Sequence, residues 1–160
     1  MKILIALDDS PHSERALDFV TRMRWPAGSR VIVTSVHQPS PSAIATAYDA
    51  PAVLPDVFEE ERKQLQTVVS AAERRLREAG LPTEGRIADG DPRAALVDLA
   101  RTERVDLIVL GSHGRTGLAR WMLGSVSSHV VTHAPCSVIV VKEKGAESAA
   151  PPDKGKEPSR

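Results

Sequence analysis

Four short apolar runs limit what this chain can fold into. Ile3 to Leu7, Val31 to Val36, Leu107 to Leu110 and Val138 to Val141 are rich in β-branched and aliphatic residues. Runs of this length are too short for buried helices and suit strands covered on both faces, the usual condition of a parallel sheet. Between them the period changes. Ala16, Leu17, Val20 and Met23 recur at helical spacing after Ser10-Pro11, and Pro26-Ala27-Gly28 stops that stretch. Asp56 to Ala79 is the longest helical stretch, with Phe58, Leu65, Val69, Ala72, Leu76 and Ala79 along one stripe. Glu59, Glu60, Arg74, Arg75 and Arg77 make its solvated face, acids first and arginines last as the helix dipole favours, and Gly80 and Pro82 end it.

Thr83 to Ala88 alternates and is polar, which suits a fifth strand at a sheet edge. Asp91-Pro92 supplies an N-cap and a first-turn proline for a helix through Leu96, Leu99 and Ala100, and Val126 to Thr132 is the last helical stretch. Strand and helix thus alternate along the chain. The pattern predicts one α/β domain over residues 1–142, an open, doubly wound parallel sheet with helices on both faces. Beyond Lys142 the sequence is polar and nearly free of large apolar residues, so 143–160 is expected to be a disordered tail. Gln38 to Pro55, with Pro39, Pro41, Pro51 and Pro55 among serines and alanines, reads as a long loop leaving strand two at the sheet's carboxyl edge, where it could cover a ligand.

Composition removes several function classes. Basic and acidic residues balance at 21 each, so nothing pulls the chain toward nucleic acid or an anionic membrane. Aromatic residues are 3% of the total, too few for base-stacking platforms. One cysteine, Cys136, allows no internal disulfide and no paired-cysteine metal site; it reads as a small residue packed at a strand start. The N-terminal apolar run is too short for a signal peptide or a membrane span, and the expected location is cytoplasmic. P-loop, dinucleotide, metalloprotease, hydrolase-elbow and kinase motifs are all missing.

What remains is glycine. Gly111, Gly114 and Gly117 follow the fourth run at three-residue intervals, and Gly124-Ser125 opens the last helix. Small residues let a ligand approach the main chain, and the unpartnered N–H groups of a helix start favour an anion. The spacing, Gly111, two residues, Gly114, nine residues, Gly124-Ser125, resembles the G-2x-G-9x-G-(S/T) signature of the universal stress proteins in their ATP-binding branch. With right-handed crossovers, that resemblance implies strand order 3-2-1-4-5. The order reverses between strands one and four, where open α/β sheets hold their ligands. Asp8 and Gly111 end those two strands.

The resemblance implies ATP, together with Mg2+, as the ligand. Gly111, Gly114, Gly124, Ser125 and Val126 would line the phosphates, Asp8 would meet the ribose, and Val36 would meet adenine through its main chain. Asp8 also reads as a turn or capping residue. His113 and Arg115, inside the glycine loop, are candidates for the outer phosphates. Many family members have glycine after the aspartate; Asp9 stands there and adds a negative charge near the site. His129 and His133 share a helix face at metal-binding spacing but have no third ligand in sight. Trp121 and Met122 read as packing. The family pairs through its last strand, so a homodimer through Val138 to Val141 is expected, beside an unidentified protein partner. No catalytic residue stands out. The leading expectation is an ATP-binding signalling protein of the stress response, with little or no turnover. The alternatives are a slow ATPase or nucleotidyl-transfer enzyme and a nucleotide-free dimeric scaffold.

Overall fold

The computed structural model describes residues 1–39, 44–45, 54–114 and 123–142. Five strands, β1 (Lys2–Ala6), β2 (Arg30–His37), β3 (Thr83–Asp89), β4 (Leu107–Gly111) and β5 (Ser137–Val141), form one parallel sheet in the order β3-β2-β1-β4-β5. Helices α1 (Pro11–Arg22), α2 (Leu54–Glu78), α3 (Pro92–Thr102) and α4 (Ser125–His133) connect them. The expected sheet and its order are both present.

Period-two alternation sorts the central strands into two cores. Ile3 and Ile5 of β1, Val31 and Val33 of β2, and Leu107 and Val109 of β4 face Ala16, Leu17 and Val20 of α1 and Val69, Ala72 and Leu76 of α2. Their neighbours Leu4, Ile32, Ile108 and Leu110 face Leu96, Val97 and Ala100 of α3 and Val130 of α4. Both faces of the inner strands are therefore dry, which explains their unbroken apolar sequence. Edge strand β3 needs less apolar surface because water reaches it. At its middle, α2 comes so close that a Cβ on Gly85 would stand 2.5 Å from Val69 Cγ1, and Glu73 accepts the Gly85 N–H at 2.7 Å.

Helix ends depart from expectation in places. α1 stops at Arg22, before Pro26, because Met23 turns extended and Trp25 folds back to donate its indole N–H to the Val20 carbonyl at 2.9 Å. That bond satisfies one of the acceptors a helix end leaves open. α2 begins at Leu54, inside the expected loop, and Ala79 lies beyond its end and exposed. Arg75, expected on a solvated face, instead ties α2 to α1 through Glu14 at 2.6 Å and through Asp18, which together raise its guanidinium pKa. Residues 40–43, 46–53 and the tail 143–160 lie outside the described residues, and with them most of the proline-rich loop.

Candidate nucleotide site

The chain turns sharply where β1 ends. Asp8 Oδ1 accepts from the Ser10 hydroxyl at 2.6 Å and from the Ser10 N–H at 3.3 Å, and Ser10 Oγ in turn caps α1 by accepting from the Ser13 N–H. Asp9 sits between them at φ 61°, a left-handed conformation that glycine adopts without strain. The turn points Asp9 away. It is exposed, borders the space between α1 and α2, and is not among the residues lining the crevice, although it shares a small hollow with Val36 and Gln38 at the crevice's edge.

Beside this turn, β4 ends in the first glycine. A Cβ on Gly111 would meet the backbone carbonyl carbon and oxygen of His12 at 2.6 and 2.7 Å. Gly111 thus admits the first turn of α1, a packing role that its place in a phosphate motif did not reveal. The loop beyond is pinned at both ends: Ser112 N–H donates to the Val141 carbonyl at 3.0 Å, and Gly124 N–H donates to the Ser112 carbonyl at 2.9 Å. Buried Ser127 adds a third tie by donating to the Gly111 carbonyl at 2.7 Å.

Between these walls lies a cleft of about 260 Å³ at the carboxyl ends of the strands, at the reversal of strand order. Of the sequence candidates, it brings together Asp8, Val36, Gly111, His113, Gly114, Gly124, Ser125 and Val126. Arg115, Trp121 and Met122 lie outside the described residues. Ser13, Thr34, Gln38, Pro92, Leu96 and Ser127 also line the cleft and were not anticipated. Their chain positions carry no common motif; only the topology gathers them.

The cleft has a direction. Thr34 accepts from Leu7 on the β1 side, whereas His37 accepts from Gly90 on the β3 side. Alternation therefore points the main-chain N–H and C=O of Val36 toward β1, past the residue where β1 has ended. Asp8 stands in the middle. At the β4 end Gly114 keeps its α-carbon beside the carboxylate, since a Cβ there would be 2.6 Å from Asp8 Oδ2. Next to it α4 begins at Gly124 with no side-chain cap, whereas Ser10 and Asp91 cap α1 and α3. The first-turn amides of α4 and its dipole are thus aimed into the cleft with no capping side chain among the described residues. Among the described lining residues Asp8 is the one carboxylate and His113 the one basic side chain.

Two neighbouring features lie apart. A wider hollow of about 620 Å³ between α1 and α2 contains none of the glycine motif. His37, buried next to Val36, has Nε2 3.0 Å from Glu61 and Nδ1 3.4 Å from Asp89, with the Phe58 ring edge-on. This cluster holds the start of α2 against the ends of β2 and β3. Arg62, and less strongly His37, lowers the Asp89 carboxyl below its usual range. His129 and His133 stack at 4.1 Å, and no group of three or more metal-binding side chains occurs among the described residues. Burial, reinforced by the charge of Asp106, raises the Cys136 thiol above its ordinary pKa, as befits a packed residue rather than a nucleophile.

Known proteins converge on the same fold and family. The profile of the universal stress protein family matches residues 1–142. A universal stress protein of Synechocystis, Sll1388, is 30% identical over 149 residues, covering 88% of this chain and 97% of that one. The solved structure of MJ0577, a universal stress protein of Methanocaldococcus jannaschii, superposes with a TM-score of 0.78 at 27% identity, covering 91% of this chain and 97% of its own. A universal stress protein solved in complex with cAMP shares the fold with a TM-score of 0.62 at 24% identity, covering 89% of this chain and 95% of its own. This chain belongs to the universal stress protein family.

Proposed function

We propose that this protein binds ATP at the reversal of strand order and acts in the stress response as a nucleotide-dependent signalling protein. One observation carries the reading. The uncapped start of α4, the bare α-carbon of Gly114, the Asp8 carboxylate and the inward-facing main chain of Val36 share one cleft. Adenine would lie at the β2 end, hydrogen-bonded to Val36. Asp8 would accept from the ribose hydroxyls, as its carboxylate already accepts from Ser10. The phosphates would lie at the β4 end on the N–H groups of Ser125 and Val126 and on the Ser125 hydroxyl, with Gly111, Gly114 and Gly124 keeping side chains away. His113, and Arg115 in the same loop, would meet the outer phosphates.

One carboxylate cannot by itself form a Mg2+ cage, so Mg2+ would enter on the phosphates rather than on a site built by the described residues. Among the described lining residues nothing places a base where water would attack the γ-phosphate, and the one carboxylate there is engaged with Ser10. Turnover is therefore slow or absent, and the nucleotide state acts on a surface. Edge strand β5 offers one, through which two copies pair about a two-fold axis. Among the described residues no helix is long and apolar enough to cross a membrane, and the protein works in the cytoplasm with a further protein partner.

Calorimetry with ATP beside a γ-phosphate release assay tests the nucleotide reading. Binding without release is expected; rapid release would make the protein an ATPase, and no heat of binding would make it a scaffold. Light scattering tests the pairing, with a dimer expected at micromolar concentration and a monomer contradicting it.

A further inference from the structure

Behind the phosphate end of the cleft stands a small basic network. His113 lines the cleft, and its ring lies 5.2 Å from that of His12, tilted by 49°. His12 occupies the first turn of α1, whose backbone is seated against Gly111, so its position relative to the glycine loop is fixed. One turn further along, Arg15 Nη1 is 3.4 Å from His12 Nδ1. A guanidinium only donates, so His12 Nδ1 is the acceptor and its proton sits on Nε2. On the other side, Ser112 Oγ is 3.1 Å from His113 Nδ1. A hydroxyl donating there leaves the His113 proton on Nε2, the form a phosphate oxygen needs.

Strand order gives this network its meaning. Across the cleft, Val36 is on β2, Asp8 follows β1 and His113 follows β4. A nucleotide lying base to phosphate along that line turns its phosphates toward His113. With the first phosphate on the α4 amides, as in the reading above, His113 is left for the outer ones, which a monophosphate lacks. We propose that His12, oriented by Arg15, is a positioning residue that sets the His113 ring for the outer phosphates and so makes the site prefer nucleoside triphosphates over monophosphates. This rests on the nucleotide reading above and adds residues of α1 to it. His12 and Arg15 act through His113, whereas the glycines and α4 serve any phosphate.

The test is calorimetric titration of the full chain with AMP and with ATP, for the unaltered protein, His12→Ala and Arg15→Gln. Alanine suits a helix, and neither change touches the main chain packed on Gly111. In both variants ATP affinity should fall by about tenfold, the loss expected for a hydrogen bond to a charged group, while AMP affinity stays within about twofold on the same scale. His12→Asn, which keeps an acceptor and a donor, should restore part of the ATP preference. NMR of the His113 ring should show its resonances shifted in His12→Ala before nucleotide is added, because the His12 ring no longer fixes its orientation. An equal loss of AMP and ATP would reduce His12 to a structural residue and overturn the inference, as would an unchanged ratio. An unaltered protein that binds neither nucleotide would overturn the nucleotide reading itself, and this inference with it.

Discussion

Glycine at three positions does three different things, and single substitutions separate them. Gly111→Ala places a methyl 2.6 to 2.9 Å from three atoms of His12, two of them backbone. The first turn of α1 must move, and the cost is about 1–3 kcal/mol, the range for overpacking a tight contact. Urea unfolding should show the loss; unchanged stability would mean that α1 is not seated on β4 as described. Gly114→Val meets the Asp8 carboxylate, whose Oδ2 would be 2.6 Å from the new Cβ. This substitution should abolish nucleotide binding by displacing Asp8 and filling phosphate space, while the circular dichroism spectrum stays unaltered. Retained affinity would move the phosphates elsewhere. Gly124 is looser, with His113 Cα at 3.3 Å, so alanine there should disturb the loop more than the fold. The motif spacing makes all three glycines legible. Which of them packs and which faces a ligand is not legible, because His12 and Asp8 lie about a hundred residues away in the chain.

The chain announces one of its caps: Asp91 before Pro92 accepts from the first turn as expected, whereas at α1 the cap is Ser10 and not Asp8. Asp91 gains more than its cap. The Arg93 side chain, then the Arg93 N–H, lowers its carboxyl to about 2. In the unfolded chain an aspartate titrates at about 3.9. The folded value is the lower one, so the contribution is complete above the unfolded value and disappears as pH falls through about 2. NMR titration of Asp91 should give a midpoint near that value, and Arg93→Gln should return it toward 3.9; a midpoint already at the unfolded value would mean the contact does not form. By contrast, α2 gave less away. Its stripe of Val69, Ala72 and Leu76 was readable, but the pairing of Arg75 with α1 was not, since a charged residue looks the same whether water or Asp18 faces it.

For the molecule as a whole, the architecture was legible because burial on both faces forces near-continuous apolar strands, and only a parallel sheet with helices on each side covers them. The strand order needed the crossover rule and the family resemblance as well. The cleft was legible in part, through the glycines, Asp8 and Val36. Ser13, Thr34, Pro92 and Leu96 enter it from α1, β2 and α3 with no local signal, brought there by topology alone. In the proposed function, main-chain amides at the start of α4 hold a triphosphate. A crystal structure grown with ATP and Mg2+ tests it most directly. It should show the phosphates on the N–H groups of Ser125 and Val126, with adenine on the main chain of Val36. ATP bound in the hollow between α1 and α2, or an α4 start capped by a neighbouring side chain with no nucleotide in the cleft, would contradict it.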